Sequence, residues 1–185
     1  MGLRLYMGLI HFPVYNKNGE RIASAITTLD IHDMARLAKT YDVRNLFIVT
    51  PLDDQQELAR RVLRHWIEGY GGRYNRHRKE ALELVSIVRS LEQVVGRIEE
   101  IEGEPPVTIA TDASEQKDRS ITYEQTRQII QENKVVTLIF GTAWGLHEEV
   151  INRADSVLAP VSGKKGYNHL SVRTAAAIIL DRLAG

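Results

Sequence analysis

The 185-residue chain contains no cysteine. This excludes disulfides, thiolate metal sites and cysteine nucleophiles together, and it suits a reducing compartment. The chain also lacks an excess of charge of either sign, because 24 Lys and Arg balance 24 Asp and Glu. Bulk charge therefore disfavours a nucleic-acid coat, and contact with a polyanion has to come from a local basic patch. Long apolar runs are missing. The run from Ala175 to Leu180 is closed by Asp181 and is far too short to cross a bilayer. The N-terminus has neither the apolar stretch nor the cleavage site of a signal peptide. A soluble, cytoplasmic protein with no membrane contact is expected. The six His are scattered without metal-ligand spacing beside acids, so no metal is expected. Phosphate-loop and dinucleotide glycine patterns are absent as well.

What is present is the composition of an ordinary globular chain, 43% hydrophobic and 26% charged, long enough to bury a core. One domain over 1–185 is expected. Leu5 to Phe12 reads as a buried strand stopped by Pro13, followed by a turn at Asn16–Gly19. Asp30 is placed to cap a helix from about Ile31 to Tyr41. Short β-rich runs at Leu46–Val49, Leu84–Val88, Val107–Ala110, Val135–Phe140 and Ser156–Leu158 alternate with helical patterns. Those patterns begin after Asp53, at His77, after Ser90, after Thr122, at Leu146 and at Ser171. Gly69–Gly72 reads as a break after the helix that carries Leu58, Val62, Leu63 and Trp66. In the helix after Ser90, Val94, Val95, Ile98 and Ile101 are the inward positions. The alternation predicts an α/β fold with a mostly parallel sheet flanked by helices, whose ligands gather beyond the carboxyl ends of the strands.

Two loops at such ends stand out. Phe140-Gly-Thr-Ala-Trp-Gly-Leu146 follows the most hydrophobic strand, and its glycines allow either a close approach to a ligand or a plain turn. The second, Leu158 to Val172, is rich in Gly and polar residues and leads into a helix containing Ala175-Ala-Ala177. The strip Val172, Ala175, Ala176 and Ile179 suits close packing against another subunit.

These last 45 residues resemble the C-terminal part of SPOUT-superfamily RNA methyltransferases, the α/β-knot family. The shared pattern is a strand, a Gly-x-x-x-Gly loop, Ala154-Asp155, a short strand, Ala159-Pro-Val-Ser-Gly163, and His169-Leu-Ser-Val172 before an Ala-rich helix. The segment Asp30-Ile-His-Asp-Met-Ala-Arg36, running on to Val43, is similar to the first motif of the SpoU branch, and Arg36 matches the motif arginine. Asp30 stands where that motif has Asn, and Ser171 stands where the third motif commonly has Asn. Between Gly141 and Gly145 the family carries a Glu, whereas Trp144 occupies that place here. This departure leaves ribose and base methylation both open.

The resemblance implies a deep C-terminal trefoil knot, a homodimer with its active site across the interface, and S-adenosylmethionine as cofactor. RNA, either tRNA or rRNA, is the implied substrate. Cofactor contacts carried over from the family fall on Thr111, on Phe140, Gly141, Thr142 and Gly145, and on Leu158, Pro160, Val161, Asn168, His169 and Leu170. Arg36, Asp30 and Ser171 are the implied catalytic set, with Arg36 positioning the methyl acceptor. Read without the family, Arg36 is a helix arginine paired with Asp30 or Asp33. Arg73, Arg76, Arg78 and Lys79, interleaved with Tyr and His, are either a solvated face or an RNA contact. Two other functions stay open: a catalytically silent cofactor- or RNA-binding module, and an ordinary doubly wound nucleotide-binding enzyme.

Overall fold

The computed structural model describes residues 2–116 and 118–185. Strand β1 (Leu5–Ile10) leads through a hairpin, β2 (Val14–Tyr15) and β3 (Arg21–Ile22), into α1 (Thr28–Thr40) and β4 (Asn45–Val49). Helices α2 (Asp53–Ile67), α3 (Tyr70–Tyr74) and α4 (Arg76–Leu82) precede β5 (Val85–Val88). Then come α5 (Leu91–Glu102), β6 (Val107–Thr111), β7 (Ser120–Ile121), α6 (Tyr123–Gln131) and β8 (Val136–Gly141). The order ends with α7 (Glu148–Arg153), β9 (Ser156–Leu158) and α8 (Val172–Ala184).

Seven strands form one sheet in the order β5-β4-β1-β8-β6-β9-β7, and every pairing is parallel. The central strand β1 is buried along its whole length, which is why it reads as a continuous apolar run. Its side chains alternate between two cores. Leu5, Met7 and Leu9 join Met34 and Ala38 of α1 and Ile179, Leu180 and Leu183 of α8. Tyr6 and Ile10 join Val94 and Ile98 of α5 and Val150 of α7 on the opposite face. Helix α1 touches both α8 and α4, so these three helices lie side by side over the first core. Among the described residues no helix is long and apolar enough to cross a membrane.

Several local expectations are corrected. Helix α1 starts earlier than Ile31: Thr27 is its N-cap, and Asp30 sits in the first turn, accepting 2.6 Å from Thr27 Oγ1. Thr27 receives the Asp30 amide in return, a reciprocal cap that begins three residues upstream of the acid. Helix α2 has no side-chain cap, so Asp53 contributes only charge in its first turn. Gly69–Gly72 does not simply end a helix, because α3 forms a further turn there; a Cβ on Gly71 would lie 2.7 Å from the Trp66 ring. Ile101 is 64% exposed, while Val94 and Ile98 are fully buried. Ala176 and Ile179 are buried in the chain's own core and are not available to a partner. The caps at Ser90, Thr122 and Ser171 are found as the sequence placed them.

The amino edge of the sheet is held by Glu102, at the end of α5 and 5% exposed. Its carboxylate accepts from Arg4 Nε at 2.9 Å, Tyr6 Oη at 2.6 Å and Arg44 Nη1 at 2.5 Å, tying the starts of β1 and β4 to the helix. Burial opposes the charge on Glu102, but the hydrogen bonds from Tyr6, Arg4 and Arg44 outweigh it and hold the carboxyl below its ordinary pKa. Burial, reinforced by the carboxylate, pushes Tyr6 up to about 12. A carboxylate depressed in the fold stabilises it fully above the unfolded pKa and loses that contribution as pH falls through the folded value. Glu102→Gln should therefore lower stability at neutral pH by about 1.5–3 kcal/mol, the range for hydrogen bonds to a charged group. It should also flatten the acid limb of stability, both read by urea unfolding across a pH series.

Candidate active site

Strands β8, β6 and β9 are neighbours, so the loops leaving their carboxyl ends come together. Thr111, at the end of β6, donates to Ile139 O at 3.0 Å. In the loop after β8, a Cβ on Gly141 would lie 2.6 Å from Leu146 N, so only glycine lets this turn close on itself. Trp144 N donates to Tyr15 O and Tyr15 N to Gly145 O, each at 3.0 Å, pinning the loop to the hairpin. The Trp144 side chain is 68% exposed. Asn168, in the loop after β9, donates to Ala113 O at 2.6 Å and links that loop to the one after β6. Leu158 is buried, Pro160 and Val161 are half-buried, and His169 and Leu170 are exposed. Phe140 lies in the core, so only its backbone faces this region.

A chain of polar groups runs beneath the Gly141–Gly145 turn. Ile10 pairs with Gly141 in the sheet register, which puts His11 and Thr142 side by side. Thr142 Oγ1 donates to Ile10 O at 3.0 Å, and its distance to Ser24 Oγ is 2.5 Å. His11 Nδ1 lies 3.0 Å from Ser24 Oγ. With one proton per hydroxyl, all three contacts are satisfied together when His11 Nδ1–H donates to Ser24, Ser24 to Thr142, and Thr142 to the Ile10 carbonyl. His11 is fully buried, and its Nε2 has no partner within hydrogen-bond geometry. Burial pushes this imidazole down to about 4, against the opposing pull of Asp30 and the Ala25 backbone. His11 is thus a neutral strut at neutral pH. No local pattern reveals it, because Ser24 and Thr142 are 118 residues apart.

Helices α1 and α8 border an open groove of ≈ 480 Å³ lined by Asp33, Arg36, Ser171, Arg173 and Thr174. Asp30 and Asp33 both pair with Arg173, at 2.5 and 3.4 Å. The Arg36 pairing read from the helix alone is therefore replaced by a contact across 143 residues. None of the ion pairs among the described residues includes Arg36, which is exposed on the groove. Ser171 Oγ accepts the Thr174 amide at 3.3 Å as the cap of α8, so this position has a helix-starting role whatever else it does. Arg173 escaped the sequence reading, and Asp33 entered it only as a possible partner of Arg36. The spacing of Asp30, Asp33 and Arg36 on one helix face was the available signal for Asp33, while nothing local marks Arg173.

On the other side of α1, the four basic residues of 73–79 divide. Arg78 stacks 4.4 Å from the Trp66 ring, and Trp66 meets His32 of α1 edge-on at 5.4 Å. Arg76 pairs with Glu80 at 3.0 Å and Lys79 with Glu83 at 3.8 Å. Arg73 is exposed and belongs to none of the ion pairs found among the described residues. Burial lowers the pKa of His32, and Arg78 and Arg36 lower it further against Asp33, so both guanidiniums act on one ring. Among the described residues no cluster of potential metal ligands occurs.

The family model for S-adenosylmethionine-dependent RNA methyltransferases matches residues 4–185. The chain belongs to that family. A tRNA (guanine-N(1)-)-methyltransferase of Oleidesulfovibrio alaskensis is 45% identical over the whole chain, but the chain spans only 43% of that protein's length. An uncharacterised Aquifex aeolicus protein is 36% identical over 97% of the chain and 87% of its own length. Among solved structures, the A. aeolicus TrmH/SpoU tRNA modifying enzyme superposes with a TM-score of 0.58 at 14% identity, covering 98% of this chain and 74% of that one. The expected α/β fold, a mostly parallel sheet flanked by helices, is thereby borne out as one shared with SpoU-type methyltransferases. The membership also replaces the reading as a doubly wound nucleotide-binding enzyme.

The buried His11 gives a pH signature. In the unfolded chain its imidazole takes up a proton below about 6.5, while in the fold it stays neutral down to about 4. Between those values the unfolded state binds more protons, so stability falls as pH falls through that window. His11→Asn retains an amide donor toward Ser24 and should flatten this dependence, measured as the urea midpoint between pH 7 and 5 at roughly unit steps.

Proposed function

We propose that the chain methylates tRNA or rRNA, with the acceptor placed in the α1–α8 groove against a cofactor held by the loops after β6, β8 and β9. The observation that carries this reading is the groove itself, where an uncommitted Arg36 stands beside the loop that leads from β9 into α8. The residues present fit S-adenosylmethionine. Half-buried Val161 packed against the core and exposed Leu170 offer an apolar wall, and the turns between them carry backbone amides. Thr111, Gly141, Thr142, Gly145, Leu158, Pro160, Asn168 and His169 would hold it, with Phe140 contributing only backbone. When bound, it supplies an electrophilic methyl on a sulfonium.

The chain's own residues then have to align the acceptor and manage one proton. Arg36 positions the acceptor, through its phosphate or directly. The carboxylate missing from the Gly141–Gly145 loop is supplied by Asp33, which lines the groove and takes the acceptor proton. Asp30 and Arg173 set the placement of Asp33, and Ser171 starts the helix that carries Arg173. Ribose and base acceptors are both compatible with this arrangement. Arg73, Arg76, Arg78 and Lys79 extend the basic face beyond α1, with Arg78 acting mainly as a brace on Trp66.

We also propose a homodimer in the cytoplasm and a C-terminal trefoil knot. The position of β9 between β6 and β7, and the return of α8 to α1 and α6, support the knot. The exposed parts of α1 and α8 support the dimer, since Ala176 and Ile179 are already used inside the chain.

Arg36→Ala tests the assignment. An exposed helix arginine should be within about 0.5 kcal/mol of neutral for folding. Cofactor affinity should hold within a few-fold, while transfer of labelled methyl to bulk RNA should fall on the order of a hundred-fold, the loss typical of one preorganised charged donor. Unchanged turnover overturns the role of Arg36. Gly141→Val should instead abolish the cofactor-induced rise in melting temperature, because its side chain cannot coexist with Leu146 in the closed turn.

A further inference from the structure

Two tyrosines stand out against a chain whose aromatic content is only 6%. Tyr70 and Tyr74, on consecutive turns of α3, are 73% and 77% exposed. Their rings lie 6.3 Å apart with planes 22° from parallel, an offset stack facing solvent. Exposing two large aromatic rings together forgoes the burial that usually justifies them. Guanidinium groups are close by in sequence: Arg73 lies between the two tyrosines, and Arg76, two residues after Tyr74, has a side chain 87% exposed. The ion pair of Arg76 with Glu80 is open to water and of small energetic worth, so Arg76 can exchange it for a phosphate.

The segment is also held firmly. Arg78 over Trp66, and Trp66 against His32, fasten α4 to α1, the helix that carries Arg36. Gly72 lets the turn pack: a Cβ there would lie 2.5 Å from Trp66 O. The platform helix packs on α2 and α4, and α4 in turn packs on α1, so the platform is not a loose loop.

We infer that Tyr70 and Tyr74 form a stacking platform for unpaired bases of the RNA substrate, with Arg73 and Arg76 on the flanking phosphates. This rests on the RNA-methyltransferase reading and specifies the form of RNA that the chain holds. The faces of aromatic rings accept the faces of any base, whereas bases inside a duplex are covered by their neighbours. Phosphate neutralisation by guanidinium groups accounts for the cations. A protein partner would want a broader apolar patch than two rings rimmed by cations. The platform therefore selects single-stranded segments, such as a loop, that flank the methylated nucleotide.

The test uses the full chain and a short single-stranded oligoadenylate carrying the fluorescent base aminopurine, with a duplex of matched length as comparison. Wild type should alter aminopurine emission on binding and favour the single strand. The double variant Tyr70→Ala/Tyr74→Ala should lose about tenfold or more in single-strand affinity, with duplex affinity and salt slope little changed. Tyr70→Phe/Tyr74→Phe should restore binding, since the ring face and not the hydroxyl carries the contact. Arg73→Ala/Arg76→Ala should instead reduce the salt slope, by about 0.7 for each phosphate no longer neutralised. Cofactor binding should be equal in all four proteins. Unaltered aminopurine emission in wild type, or equal loss for single strand and duplex in the alanine variant, overturns the platform. Absence of methyl transfer to any RNA by wild type would instead remove the reading on which it rests.

Discussion

The parallel pairing of β1 with β8, in the register that sets Ile10 beside Gly141, is the constraint on which the rest of the structure depends. It joins the buried strand β1, with β4 and β5 beyond it, to the other four strands of the sheet, and each face of β1 seeds one of the two cores. The same register sets His11 against Thr142 and lets Ser24 bridge them, which fixes the floor of the glycine turn. Shifting the pairing by one residue would send Leu5, Met7 and Leu9 to the opposite face and separate these groups.

A second dependence lies across the helices. Arg173 of α8 takes both acids of α1, Asp30 and Asp33. Half-buried charges of this kind contribute modest net stability, because desolvation offsets much of the attraction. Their effect here is one of placement: they hold two helices at a shared groove and leave Arg36 uncommitted there. The polar strut under the turn and the ion pair under the groove act on two neighbouring surfaces. One surface carries the proposed cofactor loops, and the other the proposed acceptor position.

The motif glycines have a different immediate reason from the one the loop pattern first implies. Gly141 is required because Leu146 fills the space beside it, so the turn is closed before any ligand is considered. The amides of Thr142, Trp144 and Gly145 are likewise committed inside the protein, to Ile10 O, Tyr15 O and Thr142 O, so the turn is a self-packed and preformed unit. Ser171 likewise has a local duty as a cap, and Asp30 has two, at the start of α1 and toward Arg173.

The sequence by itself determined what depends on neighbours along the chain: the alternation of strands and helices, the buried character of β1, three of the helix caps, and the glycine and proline loops that carried the family likeness. These follow from periodicity and turn chemistry, which act over a few residues. The tertiary structure alone decided which groups meet. Arg173 reaches Asp30 across 143 positions, and Ser24 reaches Thr142 across 118. The stacked exposure of Tyr70 and Tyr74 arises because Gly71 and Gly72 let a short turn press against Trp66, in a segment whose glycines read as a helix break. Such contacts are set by the sheet order and by packing between layers, and no local pattern encodes them.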